Sequence, residues 1–206
     1  GTTGLKIFDR LAKREDIELI TLPENLRKDT NARKEALNSA DIAFLCLPDA
    51  AAIEAVSLIE NENTVVIDTS TAHRTNDGWT YGFPELCEEF ENKLKNSKRI
   101  AVPGCYASGF IALVKPLVDA GIVDKDICIA CHAMSGYSGA GKNGIAQYED
   151  ENRDVLLDAP REYALTQQHK HLKEMKAISG LNNEPIFSPY ICDYFSGMVM
   201  TVPLFK

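Results

Sequence analysis

The sequence predicts an α/β fold: a parallel sheet covered by helices over the first half, followed by a half of different pattern with a β-rich end. Three observations point there. Over the first half, short apolar strand-like runs alternate with helix-spaced runs, the pattern of a parallel sheet covered by helices. The chain begins with the glycine turn Gly1-Thr2-Thr3-Gly4, which leads straight into residues with helical apolar spacing at Leu5, Phe8, Leu11 and Ala12. Beyond about residue 125 the segments lengthen and the order changes, ending in a β-rich stretch.

The elements follow in order. The alternation in IELITLP, residues 17–23, predicts a strand, and NARKEALNSA a short helix. DIAFLCLP reads as a strand, the run from Asp49 as a helix with Asp49 as N-cap, and TVVIDTS as a strand. Residues 72–86, AHRTNDGWTYGFPEL, are polar, aromatic and irregular, as expected of a loop over a site. CEEFENKLKNS reads as a charged helix and RIAV as a strand. After the turn PGC comes the apolar helix ASGFIALVKPLVDAG, which Pro116 should kink or break. ICIACHAM reads as a strand, SGYSGAGKNG as a glycine-serine loop followed by an acidic helical stretch, TQQHKHLKEMKAI as a helix, and the end as strands. A tight crossover near Cys105 to Pro116 is the expected domain boundary, which gives residues 1–105 and 106–206.

Composition narrows the function classes. The 206 residues, 45% hydrophobic and 25% charged, suit one large or two small soluble domains. A net charge of −8 argues against nucleic acid, which needs a concentrated basic surface. No apolar run approaches the roughly 18 residues of a membrane span, and no signal peptide is legible, so a cytoplasmic protein is expected. Six cysteines without a dense framework suit reduced thiols. In Cys128-Ile129-Ala130-Cys131 the two thiols would lie on opposite faces of a strand, so no metal site is expected.

Two stretches carry a cofactor reading. A glycine turn opening a helix presents backbone amides to a pyrophosphate. About 20 residues on, where a dinucleotide fold selects between NAD and NADP, Arg27 and Lys28 favour a 2′-phosphate, while Glu24 argues mildly the other way.

Cys105 is the candidate nucleophile. A thiol at a helix N-terminus meets the positive end of the dipole and unpaired amides, which also suit an oxyanion. Pro103-Gly104 before it and Ala107, Ser108 and Gly109 after it leave room for a substrate carbonyl. A proton shuttle must come from four histidines. His132 sits mid-strand and reads as structural. His169 and His171, two apart on a helix, would diverge by about 200°, so only one could serve. The run Ser135 to Lys142 has the equipment of an anion cradle, and Arg74 could clamp a carboxylate or phosphate.

Taken together, VPGCYASGFIALVKP, SGYSGAGK, QHKHLKEM, GTTGLKI, LCLPDAA, IDTSTAHRT and GWTYGFPEL resemble the N-acetyl-gamma-glutamyl-phosphate reductase family, in its shorter, second type. The resemblance runs from residue 1 to 206. It implies a Rossmann-type NADP(H) domain, an α+β catalytic and oligomerisation domain, and a homo-oligomer, dimer or tetramer. It also implies Cys105 as nucleophile, His169 as acid/base, and His171, Arg74 and Ser135 near an acyl-phosphate or semialdehyde substrate. Gly1, Thr2, Thr3, Gly4, Leu47, Pro48, Ser138, Gly139 and Gly141 would line the cofactor site. Members of the family are longer at both ends, so a truncated chain is expected. In the commoner type TAHR looks more like Ala-Asp-Phe-Arg, which supports Arg74 and gives His73 no role. The rivals are an aspartate-semialdehyde dehydrogenase, a Cys-His hydrolase or acyltransferase without dinucleotide, and a non-catalytic nucleotide-binding fragment.

Overall fold

The computed structural model describes residues 2–204, with side chains from residue 6 onward. The chain forms two compact units, Gly1–Pro103 and Gly104–Lys206. The division falls just ahead of the expected crossover and gives Cys105 to the second unit.

Among the described residues the first unit holds four α-helices, α1 (Thr2–Leu11), α2 (Thr30–Ser39), α3 (Asp49–Ser57) and α4 (Glu88–Lys95). They accompany a four-stranded sheet of β1 (Ile42–Leu45), β2 (Val65–Asp68), β3 (Thr80–Tyr81) and β4 (Arg99–Ala101), in the order β1-β2-β4-β3 with every pair parallel. All strands therefore point their C-terminal ends to one edge, where ligands bind in sheets of this kind. The core joins Leu45, Ala55 and Val66 to Leu37, Val56, Ile59 and Trp79. Asn38 fastens the turn between α3 and β2: its carbonyl oxygen accepts the Glu60 and Asn61 amides, and its amide donates to the Lys34 and Leu58 carbonyls.

Two expectations are corrected in this unit. IELITLP forms no strand, because alternation makes a strand only where a neighbouring backbone pairs with it, and Ile20 stays exposed. Asp49 is the first residue of α3 rather than its cap; Pro48 holds the cap position, and the Asp49 carboxylate instead accepts the Thr71 amide and hydroxyl.

The second unit holds α5 (Cys105–Asp119), α6 (Gly141–Glu149), α7 (Leu172–Ser179) and a sheet of β5 (Ala130–Gly136), β6 (Arg161–Glu162), β7 (Ile186–Cys192) and β8 (Met198–Thr201). Its order is β6-β7-β5-β8, with β5 and β7 parallel and both edge strands antiparallel. Helix α5 packs along α7, burying Tyr106, Phe110, Ile111, Val114 and Val118. Met175 of α7 and Cys131, Ala133 and Phe187 of the sheet are buried as well.

Helix α5 runs through Pro116 without a break. Pro116 lacks the N–H that would bond the carbonyl four residues back, but its own carbonyl accepts the Ala120 amide and the helix continues to Asp119. SGYSGAGKNG is not an open loop. It closes β5, makes a 3₁₀ turn over Tyr137–Ala140 and starts α6, with the amides of Gly136, Tyr137 and Ser138 bonded to the carbonyls of Gly197, Tyr194 and Phe195. A Cβ on Gly136 would lie 2.5 Å from the Tyr194 carbonyl oxygen, so only glycine permits this closure.

Truncating Phe110, which is fully buried, should cost about 3–5 kcal/mol as Phe110→Ala. Leu113→Ala, on the exposed side of the same helix, should change stability by about 0.5 kcal/mol. Chemical denaturation of the two variants checks the assigned face.

Candidate functional site

Cys105 is the first residue of α5 and is exposed. The chain reaches it from β4 through Val102, whose amide donates to the Asp68 carbonyl, and then through Pro103 and extended Gly104. Gly104 is the N-cap and has no side chain to cap with; its carbonyl accepts both the Ser108 amide (2.8 Å) and the Ser108 hydroxyl (2.9 Å). The sulfur thus sits at the positive end of a 15-residue helix, among first-turn amides that the helix cannot satisfy.

Tyr106, the next residue, forms the floor of the site. Its buried ring stands 5.9 Å from both the His169 and His171 rings and 5.2 Å from Phe187. Its hydroxyl is 2.6 Å from Ser135 Oγ, and the half-buried Tyr163 ring stands 5.8 Å from the His169 ring. Burial is the first cause that raises both phenols, so both remain neutral hydrogen-bonding groups at physiological pH.

His169 and His171 do not lie on a helix. Both sit in the turn that precedes α7, with His171 as its N-cap. The predicted divergence therefore does not apply: the rings meet edge to face at 4.6 Å, and the His171 amide donates to His169 Nδ1 at 3.1 Å. The approach to this turn is strained, with Ala164 and Gln167 both at positive φ (57° and 54°). Gln167 is held there by its side chain, which donates to the Phe187 carbonyl and accepts the Phe187 amide, each at 2.8 Å. A cavity of about 370 Å³ opens beside the turn, lined by residues that include His169, Lys170, Lys173 and Glu184.

Desolvation, followed by the Lys170 charge, lowers the His169 pKa to about 4. The ring is therefore neutral at physiological pH. On the far side of the pair, Glu174 of α7 is buried; its Oε2 accepts the Gly104 amide at 3.1 Å and its Oε1 lies 3.9 Å from His171 Nε2.

The second unit thus brings together Cys105, Tyr106, His169, His171 and, beneath them, Ser135. Ser135 is buried and engaged with Tyr106, so its hydroxyl supports that ring instead of facing outward. Gly139 lies in the 3₁₀ turn beside Ser138, and Gly141 opens α6 at φ 75°. His132 is exposed on β5, whereas Cys131 is buried with its thiol pushed up to about 12 by burial. Cys128 is exposed ahead of that strand.

In the first unit, Leu47 and Pro48 follow the C-terminal end of β1, and Arg27 and Lys28 are exposed between a 3₁₀ turn and α2. Thr2, Thr3 and Gly4 are in the first turn of α1, while Gly1 lies outside the described residues. Arg74 donates to the Val102 carbonyl (2.9 Å) and the Thr69 carbonyl (3.2 Å), fastening the ends of β4 and β2. His73 stacks on Trp79 and bonds to buried Asp68 at 2.7 Å, a structural role.

Sequence reasoning missed Tyr106, Tyr163, Gln167 and Glu174. Glu174 lies two residues from Leu172, about 200° away on a helix, so its burial could not be read from the apolar period of its own segment. The others depend on which distant segments meet.

Comparisons with known proteins agree with this layout. Residues 9–94 match the family description "Semialdehyde dehydrogenase, NAD binding domain", and residues 105–205 match "Semialdehyde dehydrogenase, dimerisation domain". The chain is 47% identical over 204 residues to the N-acetyl-gamma-glutamyl-phosphate reductase of Chelativorans sp., covering 99% of this chain and 65% of that one. It is 48% identical over 207 residues to the Brucella ovis protein of the same name, covering 100% and 67%. It therefore spans about two thirds of the length of these relatives. Among solved structures, aspartate semialdehyde dehydrogenase with NADP from Candida albicans superposes with a TM-score of 0.60 at 16% identity, covering 98% of this chain and 68% of that one. The Vibrio cholerae aspartate semialdehyde dehydrogenase II complexed with ASA gives 0.58 at 17%, covering 81% and 55%. At such identities these two structures support the fold alone.

The His169 reading has a direct check. Proton NMR should find its ring titrating near pH 4 in the folded chain, against about 6.5 for an unperturbed histidine. The unfolded chain then binds this proton more readily, so His169 lowers stability as pH falls from about 6.5 towards 4 and contributes nothing above that window. A folded-state midpoint near 6.5 would contradict the geometry.

Proposed function

The chain belongs to the N-acetyl-gamma-glutamyl-phosphate reductases of the semialdehyde dehydrogenase family, and on that premise we propose that it reduces N-acetyl-L-glutamyl 5-phosphate to N-acetyl-L-glutamate 5-semialdehyde and phosphate, with NADPH, in arginine biosynthesis. The observation that carries the proposal is the exposed Cys105 at the head of α5, followed directly by Tyr106, whose buried ring stands 5.9 Å from the ring of a neutral His169.

The sulfur of Cys105 attacks the acyl carbon, the C–O bond to phosphate breaks, and a thioester forms. The thiol proton ends on the departing phosphate. NADPH, when bound, supplies a hydride to the thioester carbon. The resulting thiohemiacetal oxyanion collapses to the aldehyde and expels the sulfur, which regains a proton from solvent. First-turn amides of α5 are placed to meet charge developing on the carbonyl oxygen. His169 is assigned as the acid/base; since Nδ1 accepts the His171 amide, the proton of the neutral ring sits on Nε2, which is the nitrogen that donates a hydrogen bond towards the reacting groups. His171 and Arg74 are assigned near substrate, with Ser135 acting through Tyr106.

The dinucleotide is assigned to the first unit. The chemistry of the residues present fits it: exposed Arg27 and Lys28 suit a 2′-phosphate, and Leu47-Pro48 lies at the strand edge where nucleotides bind in parallel sheets. In the second unit the amide of Ser138 is already bonded to Phe195, so any contribution of Ser138, Gly139 and Gly141 would come from the remaining groups of that turn.

A second copy of the chain is the proposed partner. The sheet face opposite α5 exposes Met134, Val199 and Ile186 on adjacent strands, an apolar patch of the kind that pairs with itself about a twofold axis. All six cysteines are free thiols, which supports a reducing, cytoplasmic setting. No helix among the described residues is long and apolar enough to cross a membrane.

The test is the reverse reaction, phosphate-dependent reduction of NADP by N-acetylglutamate semialdehyde. The purified chain should catalyse it, and Cys105→Ser should abolish it. A near-native rate in the serine variant overturns the assignment. Aspartate semialdehyde, assayed in parallel, should be the poorer substrate; the opposite preference favours the rival dehydrogenase.

A further inference from the structure

We propose that Glu174 is the positioning residue that locks the start of the nucleophile helix to the histidine pair. The inference rests on the reading of Cys105 as the covalent centre.

Glutamate is almost never fully buried unless it is paired, yet Glu174 is 1% exposed, between two helices whose contact would be served by an apolar side chain such as its neighbour Met175. Its two oxygens divide the work. Oε2 takes the amide of Gly104, 70 residues away in sequence, and Oε1 faces His171 Nε2. Gly104 is the residue that most needs an external hold. It starts α5 without a capping side chain, and its conformation sets where the Cys105 sulfur points.

From Glu174 the connection continues. His171, whose Nε2 lies 3.9 Å from the carboxylate, donates its backbone amide to His169 Nδ1. Gly104, Glu174, His171 and His169 therefore form one linked path from the helix head to the acid/base. Losing the middle of it leaves Cys105 and His169 in place as residues but frees their relative position. A misplacement of about 1 Å is enough to cost 100-fold in rate.

The test compares Glu174→Ala with Glu174→Gln in the full chain. Gln keeps the length and an oxygen for the Gly104 amide, whereas Ala removes both. Glu174→Ala should lower kcat about 100-fold with little change in KM, and Glu174→Gln should recover it to within about 10-fold of the parent. Circular dichroism and thermal melting identify any variant that fails to fold. A readout independent of turnover accompanies these: site-resolved alkylation by iodoacetamide, followed by peptide mass mapping. Cys105 should react differently in Glu174→Ala and in the parent, while exposed Cys87 and Cys128 react equally in both and serve as internal references. A folded Glu174→Ala with parental kcat and parental Cys105 alkylation overturns the proposal. So does a Gln variant as impaired as Ala in both readouts. If the parent shows no reductase activity, the functional reading fails while the alkylation comparison still decides the role of Glu174.

Discussion

Both histidines of the candidate site, Phe187 and Ser135 meet at Tyr106. Because it follows Cys105 directly and lies at the second position of α5, its burial fixes the rotation of the helix and sends the preceding residue outward. Both histidine rings and Phe187 pack on its faces and edges, and its hydroxyl is fixed by Ser135. A single aromatic side chain thus sets the distance between a helix terminus and a turn more than 60 residues away. Aromatic rings suit this role because they present a large rigid area and one polar handle.

The constraint reaches back into the sheet. Ser135 can receive Tyr106 because β5 ends at Gly136, where the backbone of Tyr194 and Phe195 passes too close for any Cβ. The closure by Tyr137–Ala140 that follows is tied to the same passing segment by successive amide bonds. The strained backbone at Ala164 and Gln167 belongs to the same construction. It turns the chain so that His169 lands on the ring, and the paired bonds from Gln167 to Phe187 hold it there.

Much of this was legible in the sequence where a local rule decided the outcome. The strands at Ile42–Leu45 and Val65–Asp68, the helix from Asp49 and the helix opened by Pro103-Gly104 follow from apolar period and turn chemistry. IELITLP failed because pairing is not a local property, and Pro116 failed because α5 continues past the missing N–H to Asp119. The histidine segment was misread as helical because LKEMKAI carries the helical period, while the residues just ahead of it carry no mark of where the helix starts. That one boundary changes the chemistry, since it allows His169 and His171 to share a face that a helix would deny them. Glu174 and Gln167 are polar residues whose hydrogen bonds run to distant backbone groups, Gly104 and Phe187, so no single-segment reading could assign them.

The central claim is that Cys105 carries the acyl group during turnover. The most direct measurement is intact-protein and peptide mass spectrometry after mixing the chain with N-acetyl-L-glutamyl 5-phosphate in the absence of NADPH, with the thioester trapped by acid quench. The account predicts one N-acetylglutamyl adduct, on Cys105, released on adding NADPH. No adduct, or an adduct on another cysteine, would contradict it.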